Sequence, residues 1–140
     1  MQDDCGMLIK QIDSLLAKRA NAALQAHGVT FSQITTLRVI AESPGQEAPF
    51  KHIERTLKVS QPTTAGLIAR LRDKGLVETF DAPDTPNAKI ARLTPAGREV
   101  CELARTDMET EDARMFDGFT DEERATFAAL LRRVVANVGG

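Results

Sequence analysis

A short stretch in the middle of this chain concentrates positive charge in an otherwise slightly acidic protein. The 140 residues carry 18 Lys and Arg against 20 Asp and Glu, a formal net charge of −2. Residues 51–75 hold six basic residues against two acidic ones, a net charge of +4; the six are Lys51, Arg55, Lys58, Arg70, Arg72 and Lys74. Residues 99–140 hold five against ten, a net charge of −5. The asymmetry predicts that only the middle of the chain meets an anion.

The stretch LKVSQPTTAGLIARLRDKGLV, residues 57–77, predicts a helix that could present several of these cations. Ser60 is a favourable N-cap, Pro62 is tolerated in the first turn, and Gly75 is a favourable C-cap. The apolar side has the spacing of a helix face, with Thr64, Leu67, Ile68 and Leu71. The opposite side then carries Gln61, Pro62, Thr63, Gly66, Ala69 and Arg70.

A short helix over residues 50–57 and a tight turn before Ser60 make this a helix-turn-helix pattern, whose second helix fits the major groove of duplex DNA. Gln61 could pair with an adenine edge, Thr63 with a base or a phosphate, and Arg70 with guanine or a phosphate. The free N–H groups of the first helical turn favour a phosphate as well.

Two strand-like runs follow, Val77–Phe80 and Lys89–Leu93, separated by a turn-rich tip. They predict a β-hairpin that acts as a wing along the adjacent minor groove, with Lys89 and Arg92 as its cations. A helix pair followed by a hairpin can also serve protein–protein contact. The alternative is therefore a winged-helix interaction module without specific DNA binding.

The remaining sequence predicts long helices on both sides of this module. A first helix over residues 7–26 is followed by a capping box at Thr30 and Gln33, a fifth helix begins after Thr94, and a sixth after a capping box at Thr120. The fold class is mainly α with a small β-hairpin wing. We expect residues 1–29 and 95–140 to form a helical dimerisation region and residues 30–94 the winged helix-turn-helix, within a single compact domain, because the outer helices have apolar stripes that need a partner.

Several other classes of function are not expected. His27 and His52 have no second ligand at metal spacing, and the chain contains no glycine-rich phosphate loop or nucleophile motif, so we expect no metal, no cofactor and no enzyme. The sequence has no apolar run of membrane-spanning length and no cationic signal-peptide start. Cys5 and Cys101 do not make a disulfide scaffold. We therefore predict a cytoplasmic protein without a membrane partner.

Residues 30–97 resemble the winged helix-turn-helix regulators of the multiple-antibiotic-resistance regulator (MarR) family. The stretches that carry the resemblance are residues 30–33 (TFSQ), 37–40 (LRVI), 59–63 (VSQPT), 70–77 (RLRDKGLV) and 93–97 (LTPAG). The resemblance implies a homodimeric transcriptional regulator that reads a pseudo-palindrome in double-stranded DNA. It also implies a repressor that is released by a small lipophilic or aromatic effector or by an oxidant. The positions on the family's DNA-facing helix are Ser60, Gln61, Pro62, Thr63, Arg70 and Lys74.

The chain departs from the family pattern at two places in this region. Gly66 stands where many members carry a basic residue, which leaves a thinner groove-facing surface. The wing tip reads Asp84-Thr85-Pro86-Asn87 where many members have an Asp-Arg-Arg sequence, so Asn87 or Lys89 is the candidate substitute for the missing arginine.

Cys5 lies near the position of the reactive cysteine in the hydroperoxide sensors of that family, which makes it a candidate redox residue. Helix N-termini favour thiolates, but the neighbouring Asp3 and Asp4 oppose one, and the chain has no tyrosine to assist the thiol. An incidental exposed cysteine is the competing interpretation. Cys101 is expected to be a small buried apolar residue within the fifth helix.

Overall fold

The computed structural model describes residues 4–140, and these contain six α-helices and three short strands. The elements in the first half are α1 (Cys5–Ala26), α2 (Phe31–Ala41), β1 (Glu47–Pro49), α3 (Phe50–Leu57) and α4 (Gln61–Asp73). Those in the second half are β2 (Val77–Asp81), β3 (Lys89–Leu93), α5 (Pro95–Met115) and α6 (Asp121–Gly139). The predicted class, helical with a small β wing, is confirmed.

Local hydrogen bonds explain why the helices begin where the sequence predicts. At α2 the Thr30 hydroxyl accepts from the Gln33 N–H and the Gln33 side chain accepts from the Thr30 N–H, both at 3.2 Å. At α6 the same reciprocal pair joins Thr120 and Glu123, at 2.9 and 3.0 Å. Both predicted capping boxes are therefore confirmed.

The three strands form one antiparallel sheet in the order β1-β3-β2. The predicted hairpin is β2 and β3, which pair from Val77 with Leu93 to Asp81 with Lys89. The edge strand β1 is not predicted from the sequence, because three residues are too few to show an alternating pattern of apolar and polar side chains. It pairs with β3 and buries Ala48 completely.

The core lies behind the helix-turn-helix and joins it to the sheet. Its largest fully buried apolar side chains come from α2, α3, α4 and β3, namely Leu37, Ile40, Ile53, Ile68, Leu71 and Leu93. The apolar face predicted for α4 is the buried face, since Thr64, Ile68 and Leu71 are all inaccessible. The other side of α4 is consequently directed away from the core.

The chain divides into two compact units within α5. The first runs to Arg105 and contains α1–α4, the sheet and the start of α5. The second is Thr106–Gly140, in which three phenylalanine rings pack edge to face; they are Phe116, Phe119 and Phe127, with centroids 5.3–6.3 Å apart. Arg124 lies over the Phe116 ring and pairs with Asp112.

Large apolar side chains are exposed on the outer helices of this single chain. On α1 they are Met7, Leu8, Ile9, Ile12, Leu15 and Leu16, and on α6 they are Leu130, Leu131, Val134, Val135 and Val138. Such stripes usually mark contact surfaces. The dimerisation role expected for residues 1–29 and 95–140 stays a prediction. None of the helices described for residues 4–140 is long and apolar enough to cross a membrane.

Candidate nucleic-acid interface

The first turn of α4 is organised by Ser60. Its hydroxyl accepts the Thr63 N–H at 3.2 Å and donates to the Thr63 hydroxyl oxygen at 2.9 Å. Ser60 is therefore the N-cap that the sequence predicts, and the Thr63 hydroxyl beside it is exposed to a group outside the chain. Gln61, Pro62 and Thr63 are all exposed beside it.

The side of α4 opposite its buried residues carries small side chains and one arginine. Pro62, Gly66, Ala69 and Arg70 lie on this outward side, with Pro62 and Arg70 exposed. A Cβ added at Gly66 would meet no atom within 4 Å, so nothing in the fold requires a glycine there. The outward side of α4 therefore carries few large side chains, as the sequence indicates.

Four exposed cations in the helix-turn-helix have no ion pair with any other described residue. They are Lys51, Arg55, Lys58 and Arg70, and we call them the open cations. Lys51, Arg55 and Lys58 belong to the basic cluster but are not among the site residues predicted from the sequence. Their spacing of i, i+4 and i+7 was the available signal, because it places them together on one side of α3 and the turn that follows.

Lys74 lies at the end of α4 and is exposed, and its side chain reaches back to the turn between α1 and α2. The ammonium donates to the Gly28 carbonyl oxygen at 2.6 Å and to the Gln33 Oε1 atom at 2.7 Å. Lys74 is also the C-cap of α4, and Gly75 follows with φ +75°, so the cap lies one residue before the predicted position. The resemblance assigns Lys74 to the DNA-facing surface, whereas two of its three N–H donors here bind acceptors within the chain.

The cations of the wing are paired with carboxylates on neighbouring strands. Lys89 lies 3.2 Å from Asp81, and Arg92 lies 2.8 Å from Glu47 and 3.3 Å from Glu78. The Arg92 guanidinium also stacks over the Phe80 ring at 4.5 Å. The hydrogen bond with Glu47 raises the pKa of Arg92, and Glu78 adds to the effect. We call Lys89 and Arg92 the paired cations.

The tip of the wing is exposed and carries no cation. Residues 83–87 include Asp84, and Asn87 adopts the left-handed conformation with φ +61°. The loop is closed by the Ala82 N–H, which donates to the Ala88 carbonyl at 2.8 Å. Asn87 is therefore held at the tip as a neutral polar group.

The two cysteines lie in different surroundings. Cys5 is exposed in the first turn of α1, where the Asp4 carboxylate accepts the Met7 N–H at 3.1 Å and already provides an anion at the helix N-terminus. Cys101 is half-buried against the core, and burial raises the pKa of its thiol although Arg38 acts in the other direction. Within residues 4–140, no three His, Cys, Asp or Glu side chains are grouped so that they could hold a metal ion.

The second helix, α4, is capped and faces outward, the first helix, α3, is cationic, and the β2–β3 hairpin follows them in the chain. These features define a winged helix-turn-helix protein. Residues 27–85 match the model of the MarR family. The chain is 32% identical over 139 residues to the HTH-type transcriptional regulator YybA of Bacillus subtilis (strain 168), covering 96% of this chain and 86% of that relative. The chain belongs to the MarR family of transcriptional regulators.

Two further comparisons extend this assignment. The chain is 24% identical over 129 residues to the HTH-type transcriptional repressor Rv2887 of Mycobacterium tuberculosis, covering 92% of this chain and 91% of that relative. It also superposes on a cysteine-to-serine mutant of MarR from E. coli in complex with operator DNA. That comparison has a TM-score of 0.71 and 23% identity, over 93% of this chain and 92% of the other, and it supports the fold.

Proposed function

We propose that this protein is a homodimeric, sequence-specific DNA-binding repressor of transcription that acts in the cytoplasm. The observation that carries the proposal is the set of open cations exposed on α3, the turn and α4, together with the capped N-terminus of α4. A major groove accepts an α-helix, and cations beside it neutralise phosphates. The solved MarR mutant in complex with operator DNA supports the same mode of binding.

Each residue of the interface has a distinct chemical role in this proposal. Gln61 reads adenine, Thr63 donates to a base or phosphate acceptor, and Arg70 contacts guanine or a phosphate. Ser60 and Pro62 set the start of the helix, and Gly66 leaves room for close approach. Phosphates are held by the cations of α3 and the turn, namely Lys51, Arg55 and Lys58.

The wing contributes less to affinity than the helix-turn-helix. Asn87 is its candidate minor-groove residue because it is exposed at the tip. Lys89 and Arg92 would have to exchange a carboxylate for a phosphate in order to bind DNA. The usual contribution of a cationic wing is therefore reduced.

A second copy of the chain is the proposed partner of the exposed apolar stripes on α1 and α6. Leu15 is 55% exposed and Val138 82% exposed in one copy, and a homodimer would remove such side chains from water. Two recognition helices would then read half-sites about 10 base pairs apart, or a small multiple of that.

The binding test is a fluorescence-anisotropy titration of a duplex taken from upstream of the protein's own gene, with a scrambled duplex as the control. We expect salt-sensitive binding that is at least about 10³-fold tighter for the upstream duplex. Binding of neither duplex contradicts the proposal. A protein association that survives nuclease treatment would then favour the interaction-module alternative.

Release from DNA is proposed to follow binding of a small lipophilic or aromatic effector, or oxidation of a thiol. Cys5 is the exposed thiol, whereas Cys101 is half-buried and burial raises the pKa of its thiol, which disfavours the reactive thiolate. We expect Cys5→Ser to remain on DNA in the presence of organic hydroperoxide while the unmodified protein dissociates. Cys101→Ser is the matched control, and equal release of the Cys5→Ser variant would exclude Cys5 as the sensor.

A further inference from the structure

One side chain at the end of α4 forms hydrogen bonds with the segment that joins α1 to α2. Lys74 lies 46 residues after Gly28 and 41 residues after Gln33, and its ammonium is within hydrogen-bond distance of both. We call this three-residue contact the Lys74 clasp.

Each partner in the Lys74 clasp belongs to the end of a different helix. Gly28 follows α1 with φ +74°, in a turn closed by the Val29 N–H on the Leu24 carbonyl. Gln33 is 6% exposed, and the same Oε1 atom that accepts from Lys74 also accepts the Thr30 N–H that starts α2. The clasp therefore joins the C-terminus of α1, the N-terminus of α2 and the C-terminus of α4.

Both acceptors of the Lys74 ammonium are neutral, so the contact holds the side chain without cancelling its charge. An ammonium has three N–H donors and two of them are used here, so a phosphate contact by Lys74 would rest on the third donor alone. Phosphate binding and positioning of α4 can be distinguished by experiment. Loss of a phosphate contact lowers the salt dependence of DNA binding, whereas displacement of α4 lowers the affinity for the specific site.

We propose that Lys74 is a positioning residue, which sets the placement of α4 relative to α1 rather than binding a phosphate. Because α1 belongs to the proposed dimerisation region, the clasp links the arrangement of the two copies in the dimer to the placement of α4. The inference rests on the proposed function for its effect on DNA binding.

The first experiment compares Lys74→Met with Lys58→Met on specific and scrambled duplexes over a series of salt concentrations. The two lysines are matched, since each is the C-cap of its helix and each variant loses one ammonium. For Lys74→Met we expect about a tenfold loss on the specific duplex, the size typical of a hydrogen bond to a charged group, with an unchanged salt slope. For Lys58→Met we expect parallel losses on both duplexes and a slope smaller by about 0.9. A slope loss for Lys74→Met equal to that of Lys58→Met overturns the inference.

The second experiment needs no DNA and tests the clasp itself by a double-mutant cycle in Tm. Gln33→Glu keeps the capping-box acceptor and gives the Lys74 ammonium a charged partner, so we expect Tm to hold or rise. In the Lys74→Met background the same carboxylate loses its cation, and we expect Tm to fall. Additive changes would show that the clasp does not form in solution and would overturn the inference. If the protein binds neither duplex, the proposed function fails, whereas the double-mutant cycle in Tm still tests whether the clasp forms.

Discussion

The helix-turn-helix and the wing both contain basic residues, but only the helix-turn-helix leaves most of its cations without an ion pair; Arg72, 4.0 Å from Asp73, is the exception there. Lys51, Arg55, Lys58 and Arg70 are exposed on α3, the turn and α4 with no ion pair to another described residue. In the wing, every Lys or Arg is paired, because Lys89 meets Asp81 and Arg92 meets Glu47 and Glu78.

The difference arises from the register of the sheet. Glu47, Arg92 and Glu78 are directly opposite one another on three adjacent strands, and Asp81 is directly opposite Lys89. Opposite charges in such cross-strand positions attract each other. On α3 and α4 the carboxylates are too few to do the same, since only Glu54 and Asp73 lie within residues 51–75.

The number of basic residues in a region therefore does not give the positive charge available to a partner, because cations in ion pairs are counted as well. The wing strands with their tip, residues 77–93, hold two basic and three acidic residues, a net charge of −1. The helix-turn-helix carries the available positive charge. DNA binding by this protein should accordingly depend on α3 and α4, with the wing as a weakly charged neighbour.

The largest expected effect comes from removing one open and one paired cation in parallel. Arg70→Ala should cost about 1–3 kcal/mol of specific binding if the side chain reaches a guanine, or lower the salt slope by about one if it reaches a phosphate. Arg92→Ala should leave the salt slope unchanged and lower Tm, because its guanidinium serves the sheet. Anisotropy titrations at several salt concentrations and thermal melts measure both. Equal losses of DNA affinity in the two variants would remove the distinction between the regions.

An intermediate effect is expected from releasing Arg92 without removing it. Glu47→Gln together with Glu78→Gln takes away the two carboxylates, so the guanidinium becomes free to meet a phosphate. We expect tighter DNA binding and a salt slope steeper by about 0.9. Glu122→Gln with Asp121→Asn on α6 is a control with the same change in charge. If both double variants bind alike, the wing does not approach the DNA.

The smallest effect should separate two adjacent threonines of α4. Thr64 is fully buried and its hydroxyl oxygen has no hydrogen-bond partner, whereas the Thr63 hydroxyl is exposed. Because an unpaired buried hydroxyl is destabilising, Thr64→Val should raise the free energy of unfolding by about 1 kcal/mol and leave DNA affinity intact. Thr63→Val should instead weaken DNA binding, and its loss of the contact with Ser60 should not stabilise the fold. Urea denaturation and anisotropy distinguish the pair, and a destabilised Thr64→Val protein would contradict the account of the buried hydroxyl.

The features that the sequence predicts well are those held by contacts within a few residues. The capping boxes at Thr30 and Thr120 join residues three apart, and Ser60 bonds to Thr63 in the same way. The apolar face of α4 follows from the period of a helix alone. The strand β1 was missed because its pairing with β3 joins Glu47 to Arg92, which no local pattern reveals.

The sequence by itself determined the helices, the hairpin, the location of the basic cluster and the outward side of α4, since all of these depend on side-chain spacing and on neighbours along the chain. Only the tertiary structure decided which cations remain available. Lys74 meets residues that lie more than forty positions earlier, and Arg92 meets carboxylates on two other strands. Such contacts depend on how distant segments pack and in which register strands pair, and neither is encoded in the residues adjacent to a cation.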